Sequence, residues 1–209
     1  MGDLISRYCS QVEHCVQNAD AKDEKAVIDG VARIVIEAVR DPNLFVFGEL
    51  LETNGVRLIS KRDEFKTLVG LLELFAFGVY RDYEQQTAKF ASLMNSTLVS
   101  KLRKLTILSL AASTKELEYG SIFSAVGLKD VRELEDLLID CIYQGLLRAK
   151  LDPQKQLVHV EYSACRDVPD QHIQEMINAI QVWQSRASQG ITALDNQAKT
   201  ISIAQREEE

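Results

Sequence analysis

The sequence is poor in the residues that build tight turns and membrane spans. Its 209 residues include only 10 glycines and 3 prolines, and so few turn-forming residues disfavour an all-β sandwich or barrel. Every apolar run is shorter than the roughly 20 residues that cross a bilayer. The net charge of −7 provides no general attraction for nucleic acid or for an anionic membrane. We therefore expect a globular, mainly α protein with no membrane contact.

The sequence also lacks the residue patterns of known catalytic and metal centres. No two of its 4 cysteines have C-x-x-C spacing, and its 3 histidines form no ligand pair. Glycine-rich phosphate loops and G-x-S-x-G nucleophile motifs are absent from the sequence. We therefore expect no catalytic residue, no metal and no cofactor. The cysteine usage indicates a reducing compartment, the cytoplasm and nucleus.

Residues 1–94 carry apolar side chains at intervals of three and four residues, the spacing of amphipathic helices. Such stretches begin at Leu4, Val27, Leu44 and Phe65. Pro42 separates the second stretch from the third, because the residue before a proline avoids helical geometry. The third stretch is predicted to end near Asn54-Gly55. The pattern predicts antiparallel helix pairs in a degenerate helical repeat.

Residues 95–168 have a different pattern, which predicts a winged helix. One predicted helix follows Asn95, a short one covers residues 119–126, and a third follows Asp130. Two runs with a period of two residues come next, from Leu146 to Asp152 and from Gln156 to Tyr162. A turn that contains a proline joins these runs, which is typical of a β-hairpin wing.

Residues 169–209 predict one long C-terminal helix. A continuous helix over residues 171–206 would be about 54 Å long. We expect its first part, Ile173 to Trp183, to pack on the winged helix. The charged composition of its last residues predicts that the natural chain continues further. The distal part carries an apolar stripe that suits a bundle with helices of other subunits, formed by Ile191, Leu194, Ala198 and Ile201.

The third helix of a DNA-binding winged helix enters the major groove, but here that helix is acidic. Its only basic residue is Arg132. Its carboxylates are Asp130, Glu133, Glu135, Asp136 and Asp140. Such a surface repels phosphate, so the sequence favours a solvated or protein-facing surface over DNA recognition.

The hairpin offers a candidate partner-binding edge. Its second strand has no further partner in the sequence, so its backbone groups are predicted to be open to pairing with another chain. The candidate interface residues of the hairpin are Arg148, Lys150, Leu157, His159 and Glu161. Together with Lys155, the two basic residues form a modest strip, which leaves nucleic-acid contact by the wing as an alternative.

Four stretches carry motifs of a known family. They are Asp41 to Leu51 (DPNLFVFGELL), Leu74 to Tyr83 (LFAFGVYRDY), Lys101 to Ala111 (KLRKLTILSLA) and Val131 to Val168, with VRELEDL, LLRAKLD and YSACRDV. With these motifs the chain resembles the PCI family, which is named for the proteasome lid, the COP-nine signalosome and translation initiation factor three. The resemblance covers nearly the whole chain and is most specific for signalosome members.

The resemblance implies a PCI module with helical repeats at 1–94, a winged helix at 95–168 and a C-terminal helix at 169–209. It also implies a non-catalytic scaffold subunit of the complex that removes the ubiquitin-like protein Nedd from cullin ubiquitin ligases, with the protease on a different subunit. The implied partners are other signalosome subunits, bound through the winged helix and the C-terminal helix. The alternatives are a PCI subunit of initiation factor three or of the proteasome lid.

Overall fold

A computed structural model describes residues 2–17 and 24–207 of the chain. The chain divides into two compact units, Met1–Asp167 and Val168–Glu209. The first unit contains a series of helices followed by a winged helix with a three-stranded sheet, and the second unit is one long helix. The predicted fold class is therefore confirmed.

Seven helices precede the winged helix in the described residues. They are α1 (Gly2–Gln17), α2 (Glu24–Arg40), α3 (Gly48–Glu52), α4 (Asn54–Ser60), α5 (Lys66–Ala76), α6 (Tyr80–Gln85) and α7 (Thr87–Phe90), with a 3-10 turn at Asp63–Phe65. Helix α1 packs on α2, and α2 packs on α4 and α5. Each of these helices thus buries its apolar stripe against its neighbours.

The helix end predicted near Asn54-Gly55 is also the start of a helix that the pattern did not show. Helix α3 ends at Glu52, and α4 begins at Asn54. Gly55 is buried inside α4, where a Cβ atom would lie 2.5 Å from Val12 Cγ1. The glycine therefore allows α4 to approach α1 closely.

The winged helix contains three helices and three strands. In chain order they are α8 (Ser96–Ser113), β1 (Glu116–Glu118), α9 (Tyr119–Val126), α10 (Val131–Tyr143), β2 (Leu147–Asp152) and β3 (Leu157–Ser163). The Asp130 side chain caps α10 as predicted, because it accepts a 3.1 Å hydrogen bond from the Arg132 N–H. The strands are antiparallel and lie in the order β1-β3-β2.

The prediction of an open edge on the second hairpin strand is wrong. Strand β3 lies in the middle of the sheet, where residues 157–159 pair with Glu116 to Glu118 of β1. The Val160 N–H extends this pairing with a 2.7 Å hydrogen bond to the Lys115 carbonyl. Strand β1 has only one buried residue, Leu117, between two exposed glutamates, so it is too short to show a recognisable strand period.

One hydrophobic core runs through the first unit and joins its helices to the sheet. Its largest fully buried side chains include Phe47, Phe75, Phe90 and Tyr119. The Phe47 and Phe75 rings meet edge to face, with centroids 6.0 Å apart. Because the core includes both helical and winged-helix residues, the boundary predicted at residue 94 lies inside one packed body and stays a prediction.

The second unit is helix α11, which spans Asp170–Glu207 and is continuous over 38 residues. The described side chains of this helix, at 172–198, are all exposed. In the part of the chain that the structure describes, no helix is both long enough and apolar enough to cross a membrane.

Candidate partner-binding surfaces

The interface residues predicted on the wing lie on paired strands, and several have partners within the sheet. Lys150 Nζ lies 2.8 Å from Glu161 Oε1. This hydrogen-bonded ion pair raises the pKa of Lys150 and lowers the pKa of Glu161. His159 Nδ1 lies 3.4 Å from Glu116 Oε1 on β1. The wing is therefore a surface of mixed charge, which weakens the case for nucleic-acid contact.

The longer open edge of the sheet is β2. Leu157 and His159 have a strand on each side, whereas no strand of the described residues pairs with the outer side of β2. Val160 directs its N–H toward β1, and its cross-strand partner on β2 is Ala149. Ala149 and Val160 therefore form a non-hydrogen-bonded pair, in which both residues direct their main-chain N–H and C=O groups away from each other. Ala149 thus presents its N–H outward. The exposed Arg148 side chain is the neighbouring residue of this edge.

The predicted stripe on α11 is exposed where the structure describes it. Ile191 and Leu194 are 63% and 66% exposed, and the Ile201 side chain lies outside the described residues. Trp183, in the first part of the helix, is 72% exposed. The packing of Ile173 to Trp183 on the winged helix stays a prediction.

The structure also contains a buried ammonium group that the sequence analysis did not identify. Lys101 of α8 is 6% exposed, and its Nζ donates 2.7 Å hydrogen bonds to the carbonyls of Val39 and Asp41 at the end of α2. The same Nζ lies 4.9 Å from the Phe47 ring centroid. Burial lowers the pKa of Lys101 to about 7, and the nearby Asp41 carboxylate opposes this shift. Lys101 thus caps the C-terminus of α2 from a distant helix.

A buried guanidinium group follows β3. Arg166 donates hydrogen bonds to the Phe75 carbonyl at 3.1 Å, to Ser109 Oγ at 2.6 Å and to the Gly78 carbonyl. Burial lowers the pKa of Arg166 to about 10. The guanidinium group satisfies the Phe75 carbonyl in the last turn of α5 and the Gly78 carbonyl just after that helix. It therefore joins the helical repeats to α8.

The adjacent Asp167 makes a second connection to the helical repeats. Its Oδ2 accepts a 2.6 Å hydrogen bond from the Phe47 N–H at the start of α3. Burial raises the pKa of Asp167, whereas the N–H groups of Phe47 and Gly48 favour the carboxylate. A Cβ atom at position 48 would lie 2.7 Å from Asp167 Oδ1, so a larger residue there would force the Asp167 side chain to shift.

We call the buried contacts of Lys101, Arg166 and Asp167 the joint of the first unit. One of these three residues could be identified from the sequence. Lys101 occupies the apolar stripe of α8 together with Leu98, Leu102 and Leu105, where a lysine is unusual. Arg166 and Asp167 lie in an irregular segment without hydrophobic period. All four stretches that carry the family resemblance nevertheless meet at these contacts. Because these side chains are largely buried and bind mainly main-chain atoms, their role is structural.

The match to a known family covers the winged helix. Residues 80–162, from α6 into β3, match the family model described as PCI domain. The chain belongs to the PCI family.

Several curated proteins are similar to this PCI chain. It is 35% identical over 155 residues to "COP9 signalosome complex subunit 7" of Dictyostelium discoideum. The aligned residues cover 74% of the chain and 59% of that protein. It is 35% identical over 153 residues to "COP9 signalosome complex subunit 7a" of Mus musculus, and these residues cover 73% of the chain and 55% of that protein. "Eukaryotic translation initiation factor 3 subunit M" of Anopheles gambiae is 24% identical over 200 residues, or 93% of the chain and 48% of that protein. The PCI chain thus spans little more than half the length of the signalosome relatives.

Proposed function

We propose that this PCI chain is a non-catalytic scaffold subunit of the COP9 signalosome, in the cytoplasm and nucleus. The observation that carries this proposal is the similarity to subunit 7 proteins, which exceeds the similarity to the initiation-factor subunit in identity. The signalosome removes Nedd from cullin ubiquitin ligases, and this chain would hold neighbouring subunits in place. Two surfaces support the proposal: the β2 edge of the wing and the apolar stripe of α11.

The scaffold role is tested by activity and by assembly together. The isolated chain, incubated with Nedd-modified cullin, should release no Nedd, whereas a complex assembled with it should do so. Deneddylation by the isolated chain would overturn the non-catalytic role. Failure of the chain to co-purify with co-expressed signalosome subunits would overturn membership of the complex.

The wing surface comprises Arg148, Lys150 and the outward N–H of Ala149, with Leu157, His159 and Glu161 supporting it from β3. Ala149→Pro removes the outward donor without removing a ladder hydrogen bond, which is the position that an edge strand tolerates. We expect this variant to fold and to bind the neighbouring subunit more weakly, while the matched control Ala149→Val binds normally. Equal affinity of both folded variants would contradict pairing at this edge.

The second surface is the stripe of Ile191, Leu194 and Ile201 on α11. Burying one large aliphatic side chain contributes roughly 1.5–3 kcal/mol, so a partner helix gains most from this stripe. Ending the chain after Gln189 should leave the melting temperature nearly unchanged and abolish incorporation into the complex. A truncated chain that unfolds, or melts many degrees lower, would show that the stripe belongs to the core of this chain.

A point variant separates loss of the stripe from loss of the helix. Ile191→Ser with Leu194→Ser should weaken incorporation. The matched control, Gln189→Ser with Ala193→Ser on the other face of α11, should incorporate like the unmodified chain. Equal incorporation of the two double variants would contradict a role for the stripe.

A further inference from the structure

Helix α10 exposes an apolar ridge on the side opposite the core. Ile139 and Tyr143 are 41% and 86% exposed, whereas Leu134 and Leu138 on the other side of the helix are fully buried. Residues four positions apart lie next to each other on a helix, so Ile139 and Tyr143 form one patch. Grouped apolar side chains at this exposure are typical of a binding surface.

Carboxylates with no partner border this patch. Glu133 and Asp136 form no hydrogen bond or ion pair within the described residues. Both line a cleft of about 440 Å³ between α8 and α10, in which Arg103 of α8 is the one basic lining residue against three acidic ones. By contrast, Asp140 pairs with Lys104 of α8, and Glu135 accepts a 3.2 Å hydrogen bond from the Tyr119 hydroxyl. The charges of Glu133 and Asp136 are therefore available to a partner.

We propose that this α10 face, defined by Glu133, Asp136, Ile139 and Tyr143, binds a basic segment of a protein partner in which Lys or Arg residues flank an apolar side chain. Charge complementarity selects this occupant, because the two unpaired carboxylates attract ammonium or guanidinium groups and repel phosphate. The exposed patch beside them takes the apolar side chain. This surface shares no residue with the β2 edge or with α11, and the proposal does not depend on signalosome membership.

The test measures binding of a short synthetic helical peptide, with Lys and Arg on both sides of Leu, to the full chain by fluorescence anisotropy. We expect Glu133→Lys with Asp136→Lys to weaken binding about tenfold or more. The matched control is Glu13→Lys with Glu73→Lys, which makes the same charge change at exposed helical positions and should bind like the unmodified chain. Binding should weaken as the salt concentration rises.

A separate variant tests the contribution of the apolar patch to binding. Ile139→Ser with Tyr143→Ser keeps the net charge and should weaken binding several-fold. A peptide with Gln in place of Leu should bind the unmodified chain more weakly as well.

Three outcomes would overturn the proposal: equal binding of the peptide to the control and to Glu133→Lys with Asp136→Lys, binding that does not change with salt, and tighter binding of a short DNA duplex than of the peptide. If the charge-reversal variant melts at a lower temperature than the control, Glu133→Gln with Asp136→Gln replaces it. That variant should then bind more weakly, and normal binding would equally overturn the proposal.

Discussion

The two units of the chain place charged and apolar side chains in opposite ways. In the first unit, the charged groups of Lys101 and Arg166 are largely buried, and main-chain carbonyls accept hydrogen bonds from both. In α11, Ile191 and Leu194 are 63% and 66% exposed. The first unit therefore pairs these two buried cations with its own main chain, although the buried Arg166 Nε has no partner within the described residues, whereas α11 carries exposed apolar side chains. From this difference we expect stability and assembly to depend on separate parts of the chain.

The largest expected effect comes from removing the guanidinium group that joins the helical repeats to α8. Arg166→Met leaves the carbonyls of Phe75 and Gly78 without a donor, and each buried unpaired acceptor costs about 1–3 kcal/mol. We expect the free energy of unfolding, measured in urea, to fall by about 3–5 kcal/mol. Arg148→Met on the exposed wing is the control and should leave it nearly unchanged. Equal stability of the two variants would show that Arg166 is not needed for the joint.

The next effect is a dependence of stability on pH. Burial lowers the pKa of Lys101 to about 7 in the folded chain, against an ordinary value of 10.5 that applies to the unfolded chain. Between these values only the unfolded chain holds the proton, so the free energy of unfolding rises as the pH rises above 7. A rise of about 2 kcal/mol from pH 7 to pH 9 is expected. The neutral amine still donates both of its hydrogen bonds.

Urea unfolding at several pH values tests this rise. Lys101→Met should lack it, whereas Lys115→Met, at an exposed position, should retain it. Parallel profiles for the two variants would contradict a lowered pKa of Lys101 in the folded chain.

A smaller effect compares two glycines, one in each unit. Gly48→Ala places a Cβ atom 2.7 Å from Asp167 Oδ1 and should destabilise the first unit by about 1–2 kcal/mol. Gly190→Ala meets no atom within 4 Å and should stabilise α11 by about 0.5–1 kcal/mol, because alanine favours a helix interior. Thermal melts followed by circular dichroism measure both changes. A neutral Gly48→Ala would mean that the Asp167 side chain can move aside.

The smallest effect is expected at the exposed ion pair of the wing. Removing both charges, with Lys150→Gln and Glu161→Gln, should leave the melting temperature nearly unchanged, because solvent screens this pair. A clear drop in melting temperature would place this pair among the stabilising contacts of the first unit.

Hydrophobic period was sufficient to predict the helix pairs, the winged helix and the terminal helix, because each of them carries a regular apolar stripe. No hydrophobic period indicates strand β1, because Leu117 is its only buried residue and a period needs more than one. Because β1 pairs with β3, the longer open edge of the sheet is on β2 and not on β3 as predicted. Lys101 interrupts an apolar stripe and could have been identified from the sequence. The contacts of Arg166 and Asp167 span long distances along the chain, so no local pattern indicates them.

The buried joint has a consequence for how this family can change over time. Lys101 and Arg166 bind carbonyls, and Asp167 binds the N–H of residue 47, all of which remain present whatever side chain stands at those positions. Substitutions at positions that are contacted only through the main chain, such as Val39 and Gly78, therefore do not require matching changes in the charged residues. In an alignment of relatives, we expect Lys101 and Arg166 to be invariant and to show no covariation with these two positions. Contact inference from covariation would therefore miss these main-chain contacts.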